Sequence, residues 1–202
     1  GVDLREFDVK NFTTGKAPAK PLAQRIIANI AQREKEPRFP FPEERAIQKE
    51  AYKAWLENDR KGIFAMATGS GKTVTALNCV LKQYRSNGYY KAMIAVPTTA
   101  LALQWFCEVK NFNFQSVVCS HTDKDWKEYL SRYSTRSLFD QKKNLIFITT
   151  YATFNRGHVQ SFLKNTKGID SFIYIADEAH NLGSTSSLKH LPEQIKLRIG
   201  LS

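Results

Sequence analysis

The sequence predicts an α/β protein: a mostly parallel central sheet with helices on both of its faces. Three observations predict it. From residue 62 onward, short apolar runs alternate with segments of helical spacing. Two of those runs, Met93-Ile94-Ala95-Val96 and Leu145-Ile146-Phe147-Ile148, are apolar without alternation, as strands covered on both faces are. A glycine-rich stretch, Ala67-Thr68-Gly69-Ser70-Gly71-Lys72-Thr73, stands between an apolar run and a helical one.

The elements follow in order. Residues 1–20 join a charged segment to Thr13-Thr14-Gly15-Lys16-Ala17-Pro18-Ala19-Lys20, which is linker-like. Leu22, Ile26, Ile27 and Ile30 recur at helical spacing, so 21–35 reads as an amphipathic helix. Residues 1–36 are thus expected to be an extension, and 37–202 the α/β domain. Pro37, Pro40 and Pro42 punctuate the next stretch, and a helix over 43–58 carries Ile47, Ala51, Ala54, Trp55 and Leu56. Strands are expected at 62–67, 91–96, 116–120, 144–149, 171–177 and 196–201. Helices are expected at 73–86, 99–111, 123–138 and 151–164. Ligands of such sheets gather at the carboxyl ends of the strands, and every motif below falls at such an end.

Composition narrows the class. With 202 residues, 42% hydrophobic and 24% charged, the chain has the length and balance of one soluble globular domain. No apolar run approaches the roughly 20 residues of a membrane span, and no signal-peptide pattern opens the chain. Cys79, Cys107 and Cys119 are widely spaced in apolar surroundings and read as buried thiols of a reducing compartment, so a cytoplasmic protein is expected. Lys and Arg number 30 against 19 Asp and Glu, a net charge of +11, which favours a polyanionic partner without separating DNA from RNA. The final Gly200-Leu201-Ser202 reads as a strand entering a loop, so a longer parent protein is expected.

The glycine-rich stretch carries the chemistry. Gly69 and Gly71 let the backbone take conformations closed to other residues, so successive N–H groups, from Thr68 through Thr73, can converge on a phosphate. Those amides precede a helix, whose N-terminus favours an anion. Lys72 adds a positive charge for the β- and γ-phosphates, and the Thr73 hydroxyl can ligate Mg²⁺. The general phosphate-loop pattern asks for glycine at position 66, where this chain has Met66. Further on, Phe172-Ile173-Tyr174-Ile175-Ala176 runs into Asp177-Glu178-Ala179-His180. Adjacent carboxylates at the end of an apolar strand must be paired or bound to metal. Asp177 suits Mg²⁺ held through water, and Glu178 suits orienting or deprotonating a water beside the γ-phosphate.

Asp177-Glu178-Ala179-His180, taken with 67–73, resembles the first RecA-like domain of superfamily 2 helicases and translocases of the DEAH type. The likeness covers about 40–202. Arg45-Ala46-Ile47-Gln48, followed by Ala51, looks like the adenine-recognition motif of that superfamily, which implies that Gln48 reads the adenine edge with Arg45 nearby; alone, Gln48 reads as a solvated helix residue. Val96-Pro97-Thr98-Thr99-Ala100-Leu101-Ala102-Leu103-Gln104-Trp105 resembles motif Ia, and Ile148-Thr149-Thr150-Tyr151 resembles motif Ib. The resemblance implies that Pro97, Thr98, Thr99, Gln104, Thr149 and Thr150 lie along a nucleic-acid track. Pro97-Thr98 also suits an ordinary strand-to-helix turn with an N-cap, and Trp105 suits a core position as well as a base-stacking one. His180 is expected to couple the γ-phosphate to a Ser-Ala-Thr motif that Gly200-Leu201-Ser202 would begin, while His121, His158 and His190 read as surface residues.

The motif set looks like that of restriction-enzyme-like and excision-repair-like DNA translocases. It implies ATP and Mg²⁺ as cofactors, DNA rather than RNA as partner, and a second RecA-like domain supplying arginine fingers. A 202-residue piece without that domain is expected to bind nucleotide weakly and hydrolyse it very slowly. An ATP-gated nucleic-acid-binding switch is the alternative.

Overall fold

Strands buried on both faces have no water for their backbone groups and must pair along their length. The computed structural model, which describes residues 36–67, 69–119, 125–180 and 192–202, contains six paired strands, three of them buried along nearly their whole length. They are β1 (Lys61–Phe64), β2 (Lys91–Val96), β3 (Ser116–Cys119), β4 (Leu145–Thr150), β5 (Ile173–Ala176) and β6 (Leu197–Leu201), in the spatial order β1-β6-β5-β2-β4-β3. Every pairing is parallel. The described helices are α1 (Ala46–Glu57), α2 (Lys72–Asn87), α3 (Thr99–Asn111), α4 (Asp125–Ser137), α5 (Tyr151–Phe154) and α6 (Gly157–Asn165). The helix expected over 21–35 lies outside the described residues.

The period of two along each strand divides the interior into two cores. Ala92, Ile94 and Val96 of β2 join Ile146, Ile148, Ile173 and Ile175 on the face covered by α1, α2 and α3. Met93 and Ala95 join Phe147, Tyr174 and the apolar sides of α4, α5 and α6 on the other. The second core is aromatic, with Phe147 edge-on to Phe162 at 5.0 Å and Phe162 edge-on to Phe172 at 6.0 Å. Lys91, which opens β2, is 1% exposed. Its Nζ donates to Ser171 Oγ at 3.0 Å and to the Gly168 carbonyl at 3.4 Å, and burial lowers its pKa.

Three expectations are corrected. The helix over 151–164 is two helices, because Arg156 adopts an extended backbone (φ −83°, ψ 150°) as the N-cap of α6. In one unbroken helix Phe154 and Val159 would point about 140° apart; the break turns both into the aromatic core. The strand expected at 171–177 begins only at Ile173, since Ile169–Ser171 form a 3₁₀ turn that receives the Lys91 ammonium. Cys107 is exposed, because α3 buries the stripe of Ala102, Trp105 and Val109 and Cys107 lies off that stripe. Cys79 is buried, and burial pushes its thiol pKa up to about 12. His158 is exposed, its ring edge-on to Trp126; His121 and His190 lie outside the described residues.

Replacing Phe147 with alanine removes the hub of the aromatic core, and we expect a loss of about 3–5 kcal/mol in unfolding free energy, read as a lower denaturant midpoint at unchanged slope.

Candidate active site

Parallel pairing sends all six carboxyl ends to one edge of the sheet. The registers align Phe64 with Leu201, Gly200 with Ala176, Ala176 with Ala95 and Val96 with Thr150. The chain therefore enters the glycine-rich turn after β1, the acidic turn after β5 and the threonine-bearing turns after β2 and β4 along that edge. β1 and β5 stand two positions apart, roughly 10 Å, with β6 between them.

β1 ends at Phe64, and Met66 drops into the core beside the helices while the turn begins. The Ser70 amide donates to the Ala67 carbonyl at 3.1 Å, and both Gly69 (φ +78°) and Gly71 (φ +92°) are left-handed. Gly71 is the N-cap of α2, so Lys72 and Thr73 are the first residues of a 16-residue helix. Both are half-buried, and among the described residues no carboxylate pairs with Lys72. Thr75 closes the first turn by donating its hydroxyl to the Gly71 carbonyl at 2.9 Å. Thr68 lies outside the described residues.

Gln48 is buried, not solvated: it is 4% exposed, and its Oε1 accepts from the Arg45 amide at 3.0 Å. Its Nε2 sits where a Cβ on Gly71 would approach to 2.9 Å. The Arg45–Gln48 turn thus packs on the glycine turn through one amide side chain, a contact that no pattern in the sequence announces. Arg45 is exposed at the N-cap of α1.

Asp177 is held on every side. Its amide donates to the Ala95 carbonyl at 2.9 Å and its carbonyl accepts from Tyr151 Oη at 2.5 Å. Carboxylate Oδ1 accepts from the Glu178 amide at 3.0 Å and Oδ2 from Trp105 Nε1 at 2.7 Å. Trp105 is therefore a core residue, 1% exposed. Burial, with the Asp177 and Glu178 carboxylates adding to it, raises the Tyr151 pKa, so the phenol is a donor at neutral pH. Glu178 takes a left-handed backbone (φ +52°), worth about 1–2 kcal/mol of strain for a residue with a Cβ. Its side chain is 44% exposed and pairs with His180 Nδ1 at 3.4 Å. Beneath this turn, a Cβ on Gly200 of β6 would meet Ala179 at 3.2 Å.

Along the rest of the edge, Thr98 caps α3, its Oγ1 accepting from the Leu101 amide at 3.2 Å. Thr150 caps α5 in the same way with Thr153. Pro97 is half-buried, and Thr98, Thr99 and Gln104 are exposed. Thr149 departs from its expected surface position: it is 0% exposed and donates its hydroxyl to the Thr150 carbonyl at 3.2 Å. The second of two successive strand residues points the other way, so only Thr150 reaches the edge. The basic surplus lies partly elsewhere, since Arg85, Lys110, Arg136 and Lys164 occupy the last turns of α2, α3, α4 and α6, where cations meet the negative helix ends.

The residues fit a triphosphate with Mg²⁺. Ser70 Oγ is buried with no hydrogen-bond partner among the described residues, and two left-handed glycines keep Cβ atoms out of the turn. No group of three metal-ligating side chains converges among the described residues. Thr73 and Asp177 are only two side chains, which suits Mg²⁺, an ion that keeps waters and takes phosphate oxygens.

Comparison with known proteins agrees with the architecture. Residues 41–202 match the family described as "Type III restriction enzyme, res subunit", and the chain belongs to that family. It is 28% identical over 174 residues to the ATP-dependent DNA helicase Hel308 of Thermococcus kodakarensis, covering 84% of this chain and 13% of that protein. It is 42% identical over 73 residues to the DNA 3'-5' translocase XPB2 of Sulfurisphaera tokodaii, covering 33% of this chain and 15% of that protein. Among solved structures it resembles the ATP-dependent Type ISP restriction-modification enzyme LlaBIII bound to DNA (TM-score 0.59, 20% identity, 83% of this chain and 13% of that one). It also resembles the Sulfolobus solfataricus SWI2/SNF2 ATPase core in complex with dsDNA (TM-score 0.59, 21% identity, 83% of this chain and 33% of that one). The fold is the RecA-like one of superfamily 2 helicases. The chain spans about a seventh of the length of the two curated relatives.

Alanine at Gly71 would be strained at φ +92° and would press on the Gln48 amide. We expect a loss of about 1–2 kcal/mol in stability together with weaker binding of a triphosphate, measured by thermal unfolding with and without nucleotide.

Proposed function

We propose that this chain is the ATP-binding motor domain of a DNA-dependent ATPase of the helicase and translocase type, with a restriction or repair role for the whole protein. The observation that carries the reading is the meeting of two loops on one sheet edge: a left-handed glycine turn opening α2, and an acidic turn opening from β5. The family membership and the names of the relatives support DNA as the polymer.

In this reading the amides from Gly69 to Thr73, with Thr68, cradle the phosphates, Ser70 Oγ donates to them, and Lys72 neutralises the β- and γ-oxygens. Gln48 and Arg45 lie against the adenine. Thr73 and, through water, Asp177 would hold Mg²⁺, which when bound would neutralise charge developing on the transferred phosphoryl group. Glu178, fixed at its backbone and half-exposed at its carboxylate beside His180, orients the attacking water and takes its proton. His180, paired with Glu178, senses the state of that carboxylate. Pro97, Thr98, Thr99, Gln104 and Thr150 form the track for one strand's phosphates, through helix N-termini and hydroxyls and without reading sequence. A second RecA-like domain in the same protein supplies the arginine finger, a contribution worth about 10³–10⁵ in rate.

In the full-length protein, Lys72→Ala is expected to reduce DNA-stimulated ATPase activity to background, and turnover like that of the wild type would contradict the assignment. Glu178→Gln is expected to bind ATP normally while losing about 10²–10⁴-fold in turnover; loss of ATP binding as well would make Glu178 structural. DNA affinity is expected to fall steeply as salt rises, and a flat response in a binding titration would count against a phosphate track.

A further inference from the structure

Trp55 and Trp105, both buried, donate their indole N–H groups to different kinds of acceptor, and the difference bears on coupling. Trp55 donates its Nε1–H to a backbone carbonyl, that of Arg198 in β6, at 2.9 Å. This is the ordinary fate of a buried indole, which needs some acceptor. Trp105 instead donates to a side-chain carboxylate, Asp177 Oδ2, at 2.7 Å, across 72 residues of sequence. That carboxylate is the one at the mouth of the candidate nucleotide site.

The donor is mounted on a rigid arm. Trp105 belongs to the stripe of α3 formed with Ala102 and Val109, all buried against the first core. The same 13-residue helix begins at the Thr98 cap, with Thr99 and Gln104 exposed along it. Trp105 stands about 10 Å along the helix axis from that cap. A displacement of α3 at its exposed end therefore reaches Asp177 Oδ2 through packed atoms. From the other face of the sheet, Tyr151 Oη holds the Asp177 carbonyl, and the Ala95 carbonyl holds its amide. With the backbone so fixed, movement of the indole can alter little except the rotation of the carboxylate. The Glu178 amide bonds to the other oxygen of that carboxylate, so the rotation is felt at Glu178 as well.

We propose that Trp105 is a positioning residue that couples the DNA track to the nucleotide site, setting the orientation of the Asp177 carboxylate according to the position of α3. The inference rests on the reading above, in which Thr98 to Gln104 face DNA and Asp177 serves Mg²⁺. It assigns the link between them to one hydrogen bond. Coupling of this kind is reciprocal: DNA changes nucleotide affinity by the factor by which nucleotide changes DNA affinity.

The test uses the full-length protein with a non-hydrolysable ATP analogue, a DNA duplex and Mg²⁺, comparing Trp105→Phe with Trp55→Phe as a matched loss of one buried indole hydrogen bond. In Trp105→Phe we expect the Mg²⁺ concentration for half-maximal analogue binding to rise about 10-fold. We also expect the ratio of analogue affinities with and without DNA to collapse toward one. Trp55→Phe should keep both near their wild-type values while losing comparable thermal stability. Wild-type Mg²⁺ dependence and coupling in Trp105→Phe would overturn the link, and so would an equal loss in Trp55→Phe. Should Trp105→Phe not fold, 5-fluorotryptophan placed at position 105 of the otherwise wild-type protein gives a second readout. Its ¹⁹F resonance is expected to shift on adding DNA alone and again on adding Mg²⁺ with the analogue, and a resonance blind to both would overturn the link. A wild-type protein whose analogue binding ignores both DNA and Mg²⁺ would instead overturn the functional reading itself.

Discussion

The amide of Asp177 donates to the Ala95 carbonyl, one residue beyond the last paired position of β5 with β2. That bond carries the parallel ladder past the end of the strand and into the acidic turn. Parallel strands buried on both faces tolerate no slip, since moving one residue would exchange Met93 and Ala95 with Ile94 and Val96 between two differently shaped cores. The packing of the cores therefore decides where the acidic turn begins. It also decides that β1, β6, β5, β2 and β4 deliver their following residues to one edge. Two loops that are about a hundred residues apart in the chain become neighbours through this constraint.

At that edge, fixed and free groups are divided. Asp177 is bonded at its amide, its carbonyl and both carboxylate oxygens. Glu178, its neighbour, has a backbone turned left-handed and a side chain open to solvent. In the proposed reading Asp177 orients a ligand, and such a carboxylate gains from being locked before its ligand arrives, because the ordering cost is already met by folding. In the same reading Glu178 exchanges a proton, and such a carboxylate gains from access to water. The same division holds at the glycine turn. Gln48 braces Gly71 from behind, while Lys72 has no carboxylate partner among the described residues.

Much of the architecture was legible in the chain itself. Continuous apolar runs announced strands covered on both faces, and the boundaries at 91–96 and 99–111 coincide with β2 and α3. The miss at 151–164 has a clear cause: helical spacing on both sides of Arg156 hides a change of direction that only the position of the aromatic core requires. Cys107 was misread because apolar neighbours in sequence are not neighbours on a helix. Thr149 and Thr150 look alike in the chain, yet the pleat buries one fully and leaves the other half-buried at the strand end. Net charge pointed to a polyanion without saying where, and four of the basic residues sit in the last turns of helices.

By itself the sequence determined the class of sheet, the glycine turn with its lysine and threonine, and the acidic pair after an apolar strand. These are local matters: backbone freedom at glycine, periodicity, and the cost of burying an unpaired carboxylate all act within a few residues. Only the tertiary structure decided who holds Asp177, why Gln48 is buried, and that Gly200 leaves room for Ala179. Those contacts join residues from different strands and helices. They depend on the order of strands in the sheet and on which face each helix covers, and neither is written in any single stretch of the chain.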